Sequence, residues 1–245
     1  MCSSTPRMAV ETTEDTLLGA RVRLLQPRRG YRVAVDSVLL AAAVEAKEGA
    51  RILDLGCGTG AVALCLAARV PGVTLVGIEL QAAFAELAER NAALNGMSER
   101  VRIVRHDVAE PWPDDLGLFD HVVSNPPFLA AAVADLPPDR GKALATVESS
   151  ADLTRWLGVA LAALKPDGTL TLIHRADRLA EIAGHLAALD VTVKPLADAG
   201  RVLIRARKGL KPARREAAPL MLHRPGGGYS EAAEDILRHA APLAF

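Results

Sequence analysis

From residue 36 onward the chain switches repeatedly between the two periodicities of secondary structure, and this alternation constrains its fold more than any other feature. Short apolar, β-branched runs at Arg51–Leu55, Val73–Ile78, Val101–Val104 and Asp120–Ser124 predict strands. Between them, Ala61–Arg69 and Gln81–Asn95 have the alanine content and spacing of helices, the second stopped by Asn95-Gly96. Farther on, Leu153–Leu164 predicts a helix that ends in the turn Lys165-Pro-Asp-Gly168, and that turn launches a strand at Thr169–His174. Asp177–Leu189 predicts another helix, and Val191–Leu196 with Val202–Ala206 a closing strand pair. Strands separated by helices pair in parallel, with helices covering both faces. The expected fold is a doubly wound α/β sheet.

Half the residues are hydrophobic and 24% are charged, enough for a sizeable core in a chain of 245 residues. Uncharged apolar stretches such as Ala61–Ala68 fall far short of the roughly 18 residues of a membrane span, and the N-terminal residues include acids, unlike a signal peptide. A cytoplasmic location is expected. Cys2, Cys57 and Cys65 are odd in number and lack zinc spacing, which predicts reduced thiols and no metal. Residues 1–15 read as a flexible tail. Residues 16–208 read as the main domain, opened by a helical and basic segment. Residues 209–245 read as an extension packed on it, ending in a helix capped by Ser230. Lys plus Arg and Asp plus Glu balance at 29 each, yet the distribution is uneven. Thr16–Val35 holds five arginines and no acid, and Arg201–Arg215 holds seven basic residues and no acid. Either these are solvated faces or they meet an anion.

Asp54-Leu-Gly-Cys-Gly-Thr-Gly60 follows a predicted strand and opens a helix, a context in which backbone approaches a ligand at a helix N-terminus. Gly56, Gly58 and Ala61 also satisfy a dinucleotide fingerprint, and Glu79 ends the next strand, where an acid binds ribose hydroxyls in either case. Asp54 is awkward beside a pyrophosphate but suits a ligand carrying an ammonium and a sulfonium, as S-adenosylmethionine does. Asp107, just after the third strand, is placed to accept from an adenine amino group. Ends of successive strands converge on one crevice in such a sheet. Asn125-Pro-Pro-Phe128 follows the fourth strand. Its prolines remove backbone donors and leave acceptors. The Asn125 side-chain oxygen and the Pro126 carbonyl then suit both hydrogens of a planar amino group, and Phe128 offers a stacking face.

In this order and spacing, residues 54–60, 79, 107 and 125–128 resemble the class I S-adenosylmethionine-dependent methyltransferases that modify amino nitrogens. Gly30-Tyr-Arg-Val-Ala-Val-Asp-Ser-Val-Leu-Leu40 and Leu222-His-Arg-Pro-Gly-Gly-Gly-Tyr-Ser230 are similar, more narrowly, to bacterial tRNA N6-adenine methyltransferases acting on adenosine 37 of a valine tRNA. The resemblance implies a Rossmann-like seven-stranded sheet, mostly parallel with an antiparallel C-terminal strand. It implies S-adenosylmethionine held by Asp36, Asp54, Gly56, Gly58, Gly60, Glu79, Leu80, Asp107, Val108 and Asn125. Catalysis would fall to Asn125, Pro126, Pro127 and Phe128, the last standing where many members have Tyr. Independently of the resemblance, the two acid-free basic segments are expected to form the RNA surface, with Arg28, Arg29, Arg32, Lys208, Lys211, Arg214 and Arg215 meeting the RNA at its anticodon loop. No membrane or metal partner is implied.

The same chemistry on a protein glutamine or an rRNA base is the nearest alternative, and a nicotinamide-dependent oxidoreductase a remote one resting on the glycine fingerprint alone. The six histidines show no ligand spacing, and His223 stands out only by its loop. Trp112 and Trp156 read as packing, and Ser37 lacks a nucleophile elbow.

Overall fold

The computed structural model describes residues 11–29, 32–126 and 151–245. A hairpin of β1 (Thr12–Leu17) and β2 (Val22–Pro27) leads into helix α1 (Val35–Ala42). Strand and helix then alternate through β3 (Arg51–Leu55), α2 (Ala61–Arg69), β4 (Thr74–Glu79), α3 (Ala82–Leu94), β5 (Val101–Arg105) and β6 (Phe119–Ser124). The C-terminal half adds α4 (Leu153–Ala162), β7 (Leu164–Arg175), α5 (Leu179–His185), β8 (Asp190–Leu196), β9 (Arg201–Arg207), β10 (Ala213–Glu216) and α6 (Glu231–His239).

Among the described residues, eight strands form one sheet in the order β10-β8-β9-β7-β6-β3-β4-β5. All neighbours are parallel except β9, which runs antiparallel to both β7 and β8. The eighth strand, β10, comes from the stretch expected to lie in the extension, so the seven-strand expectation is one short. From β3 the chain winds outward to β4 and β5, and it returns through β6 on the other side of β3. The loops after β3 and β6 therefore diverge and open a crevice between them.

Alternation along each strand sends side chains into two cores. Ile52 and Val123 join Leu39, Leu64 and Ile236 on one face, while Leu53 and Val122 join Leu157 and Ile182 on the other. The pattern requires helices on both faces, and burial of each such Leu or Ile contributes about 1.5–3 kcal/mol.

The entry segment differs from the expected helix. Val22 and Leu24 are buried while Arg23 between them is exposed, a period of two that makes β2 a strand. Leu18, Gly19 and Ala20 turn the hairpin with φ of 52°, 60° and 68°, and a Cβ on Gly19 would lie 2.4 Å from the Arg238 carbonyl. Two asparagines one turn apart on α3 stitch β2 down. Asn91 Oδ1 accepts from Leu25 N at 2.7 Å, and Asn95 Oδ1 from Arg23 N at 2.8 Å. Asn91 Nδ2 also donates to the Thr59 carbonyl at 2.9 Å, which ties hairpin, helix and glycine loop together. Residues 12–15, expected in the tail, thus belong to β1; residues 1–10 lie outside the described set.

Two boundaries move elsewhere. Helix α5 stops at His185, short of the expected Leu189, with the weak helix former Gly184 in its last turn. The predicted turn Lys165–Gly168 is absorbed into β7 as an irregularity where the β6 register shifts. In the C-terminal stretch Leu222, Ala233, Ile236 and Leu243 are buried, Leu243 N donates to Ala42 O, and Ser230 Oγ caps α6 by accepting from Ala233 N.

Candidate active site

The loop after β3 adopts its shape because glycines allow it. Gly56, Gly58 and Gly60 have φ of 78°, 56° and 86°, in the left-handed region that favours glycine. Gly56 N and Cys57 N both donate to Ile78 O at 2.9 Å, which pulls the loop against the end of β4. The three glycines then serve different ends. A Cβ on Gly56 would meet the Trp156 ring at 2.8 Å, one on Gly60 would press on Ala88 at 3.3 Å, and one on Gly58 would meet nothing within 4 Å. Gly58 therefore faces open space in the crevice, while Gly56 and Gly60 permit packing.

Two carboxylates are buried at this crevice, Asp54 at 1% and Glu79 at 7% exposure. Asp54 Oδ2 accepts from Ala63 N at 3.2 Å in the first turn of α2. Glu79 accepts from Gly58 N at 2.9 Å and Gln81 N at 2.8 Å, so it shapes the loop as well as lining the site. Burial pushes the Asp54 carboxyl up to about 7 despite the Ala63 N–H, with the nearby Glu79 carboxylate adding to the rise; burial raises Glu79 as well. Cys57 is pushed well above the usual thiol range by burial and by both acids, so it stays a neutral filler. Its sulfur leaves no room for any residue but glycine at position 77, where a Cβ would lie 2.7 Å away.

The crevice is lined by both acids together with Gly56, Gly58, Leu80, Asp107, Val108 and Asn125. Asp107 Oδ1 accepts from Ala109 N at 2.9 Å, a local turn that fixes the carboxylate at the end of β5. Asn125 follows β6, and its Oδ1 is buried with no hydrogen-bond partner among the described residues. An acceptor stranded in this way costs about 1–3 kcal/mol unless something donates to it. Pro126 is buried beside it. Pro127 and Phe128 lie outside the described residues.

Trp156 packs against the core, as its sequence reading has it, and also lines this crevice. Its Nε1 donates to Ser124 Oγ at 2.9 Å, and Ser124 Oγ donates to Leu55 O at 2.7 Å. The chain of bonds ties α4 to the last residues of β6 and β3, immediately before Asn125 and Gly56. No local motif marks Trp156, because the pairing spans 32 residues.

Other predicted residues sit elsewhere. Gly60 caps α2 and is not among the lining residues. Asp36 does not line the crevice either; it pairs with Arg201 Nε at 3.3 Å, and its neighbour Ser37 faces in. Most of the acid-free arginine segment is paired, because β1 and Glu11 just before it bring acids: Arg23 to Glu14 at 2.7 Å, Arg32 to Asp15 at 2.6 Å and Arg28 to Glu11 at 3.9 Å. Lys208 Nζ donates to Leu164 O, and Arg215 pairs with the buried Asp190 at 2.6 Å. Arg29, Lys211 and Arg214 have no ion-pair partner among the described residues. Arg214 lies on β10, five strand positions from β3 and so roughly 24 Å across the sheet. Among the described residues there is no metal-binding cluster of His, Cys, Asp or Glu, and no helix long and apolar enough to cross a membrane.

A family model described as methyltransferase small domain matches residues 31–183. The chain is 38% identical over 158 residues to a tRNA1(Val) (adenine(37)-N6)-methyltransferase of Porphyromonas gingivalis, and the match spans 62% of this chain and 61% of that protein. It is 35% identical over 182 residues to the protein of that name in Bacteroides thetaiotaomicron, covering 71% of this chain and 75% of the relative. The fold superposes on the crystal structure of a predicted O-methyltransferase from Agrobacterium tumefaciens with a TM-score of 0.68 and 28% identity, over 86% of this chain and 99% of that one. The buried acids around an open glycine loop, the doubly wound sheet and these matches agree: the chain belongs to the methyltransferase small domain family, of the class I fold, with S-adenosylmethionine as methyl donor.

Proposed function

We propose that this protein methylates the exocyclic amino nitrogen of an adenine in tRNA, adenosine 37 of a valine tRNA. The observation that carries the reading is the unpaired Asn125 Oδ1, buried at the mouth of a crevice whose floor holds two carboxylates. The names of the relatives from Porphyromonas and Bacteroides support the choice of tRNA.

The residues fit the methyl donor. Open space beside Gly58, the buried pair Asp54 and Glu79, and Asp107 at the next strand end suit a ligand with cationic groups, ribose hydroxyls and an adenine. The bound donor supplies an electrophilic methyl on a sulfonium. Asp54 stabilises the cationic end once ionised, Glu79 keeps lone pairs for the ribose hydroxyls beyond its backbone donors, and Asp107 accepts from the adenine amino group. Asn125 Oδ1 and the Pro126 carbonyl accept both hydrogens of the acceptor amino group, which draws its lone pair out of conjugation and aims it at the methyl. Positioning at roughly 3 to 3.5 Å supplies most of the acceleration. After transfer the nitrogen is cationic and acidic, and its proton passes to solvent without a protein base. The buried acids that suit a cation disfavour a pyrophosphate, so the nicotinamide alternative loses its footing.

Incubating unmodified bulk tRNA, rRNA and protein separately with the enzyme and labelled S-adenosylmethionine, then locating the label by mass spectrometry of RNase and protease fragments, tests the reading. Labelled N6-methyladenosine at the nucleotide 3′ of the valine anticodon is expected. Label found only in rRNA or in protein glutamine overturns it.

A further inference from the structure

The loop Leu222–Ser230 carries an exposed ring stack that the methyl-transfer site does not use. His223 and Tyr229 stack with centroids 5.3 Å apart and planes 23° apart. Tyr229 is anchored against the core on its far side, whereas half of the His223 side chain is exposed. The edge of the imidazole is also held. Asp198, in the turn between β8 and β9, accepts from His223 Nδ1 at 2.7 Å and from the backbone N–H groups of Leu222 and His223 at 2.9 and 2.8 Å. The Leu222 N–H, with the His223 contacts, lowers the Asp198 carboxyl to about 2, so it is a carboxylate throughout the neutral range. With one face on Tyr229 and one edge on Asp198, the imidazole is fixed and its outer face is the open end of the stack. Gly226, Gly227 and Gly228, with φ of 92°, 101° and 74°, close the turn that brings the two rings together.

The stack stands on the same rim as the methyl-transfer site. Parallel β6 ends at Ser124 beside Asn125, β7 ends at Arg175, and β8 ends at Leu196, all at one edge of the sheet; antiparallel β9 starts there at Arg201. Asp198 therefore lies two to three strand positions from Asn125, roughly 10–14 Å across the sheet, and about three residues, roughly 10 Å, farther along the strands, since Ser124 pairs with Leu172 and Arg175 with Arg201. Arg201 and Asp36 bridge the interval, with Ser37 next in chain facing into the crevice.

We propose that the His223–Tyr229 stack is a platform on which an unpaired base near the acceptor adenine stacks, so that the partner recognised here is a single-stranded RNA loop. This rests on the functional reading above. Bases in a loop offer open π-faces, and a strand entering the crevice passes this rim within a few nucleotides. A phosphate fits the place less well, because Glu231 stands in the first turn of α6, two residues after Tyr229, while Glu234 is paired with Arg238.

The test uses a short stem-loop RNA bearing the acceptor adenosine and a fluorescent 2-aminopurine beside it. With the full-length protein, quenching on binding is expected. His223→Ala and Tyr229→Ala should each reduce the quenching and raise the KM for the stem-loop by about 10- to 100-fold, the scale of one base–aromatic stack. Their kcat at saturating RNA and cofactor affinity should stay near the parent's; His223→Ala should also keep the parent's melting temperature, whereas Tyr229→Ala lowers it by losing a core contact. His223→Phe, which keeps a ring but loses the Asp198 bond, should recover most of the quenching. Unchanged quenching and KM in both alanine variants, with the parent methylating the RNA, overturns the platform alone. A parent that binds cofactor yet transfers no methyl to any RNA overturns the functional reading and the platform together.

Discussion

Asp54 is the side chain whose state depends most on what occupies the crevice. Its carboxyl is raised from 3.8 to about 7, so the folded protein holds that proton more tightly than the unfolded chain does. This stabilisation is complete below about pH 4 and is lost as pH rises through about 7. The cofactor-free protein should therefore lose melting temperature between those values, and Asp54→Asn should flatten that part of the curve. Affinity for the cationic cofactor should run the other way, weakening as pH falls below about 7; calorimetric titration that finds no such slope removes Asp54 from contact with positive charge. Glu79→Ala should weaken S-adenosylmethionine by about 1.5–3 kcal/mol, the range for bonds to a charged group, and unchanged affinity at constant salt would place it outside the cofactor site. Asn125→Ala should lower kcat by about 10² to 10³ with cofactor affinity nearly intact, as the role proposed for its oxygen on the acceptor nitrogen requires. If cofactor binding collapses with activity, the residue is structural instead.

At the scale of elements, the glycine loop is held between β4, α2, α3 and α4, and its glycines are separable by substitution. Gly56→Ala combines a left-handed backbone with a methyl pressed into Trp156, whereas Gly58→Ala carries the backbone cost alone, about 1–2 kcal/mol. Thermal denaturation should show the larger loss for Gly56→Ala. Gly58→Ala should lose cofactor affinity out of proportion to its stability, because its methyl enters the cleft. Equal melting temperatures for the two variants would contradict the Trp156 packing. The hairpin shows the same dependence on neighbours. Its arginines looked like a basic surface because no acid interrupts them in sequence, and pairing with β1 supplies Glu14 and Asp15 across the strands.

For the whole molecule, charge separates two groups of basic residues. Lys211 and Arg214, on the β10 side of the sheet, have no ion-pair partner among the described residues, whereas Arg215 neutralises buried Asp190. Replacing Lys211 and Arg214 by Glu should weaken tRNA binding and flatten its salt dependence by about 0.7 to 0.9 per lost contact, with melting temperature unchanged. Arg215→Glu should lower the melting temperature instead, because it leaves Asp190 beside a second acid. Anisotropy titrations at several salt concentrations decide the first point, and a double variant with the parent's affinity and slope makes that edge a solvated face.

The sequence by itself determined the alternation of strands and helices, the glycine loop, and the acids at the strand ends. These are local: periodicity of two or 3.6, the φ freedom of glycine and the place of a polar residue after a strand are all set by near neighbours in the chain. Hence Asp54, Glu79, Asp107 and Asn125 are legible in the sequence as residues at the ends of strands that border one crevice. Only the tertiary structure decided that Trp156 reaches Ser124, that Asp36 is taken by Arg201, that Asn91 and Asn95 dock the entry hairpin, and that an eighth strand extends the sheet. Each joins residues far apart in the chain, whose partners are chosen by burial and hydrogen-bond satisfaction after the sheet has closed, and no spacing in the sequence encodes that choice.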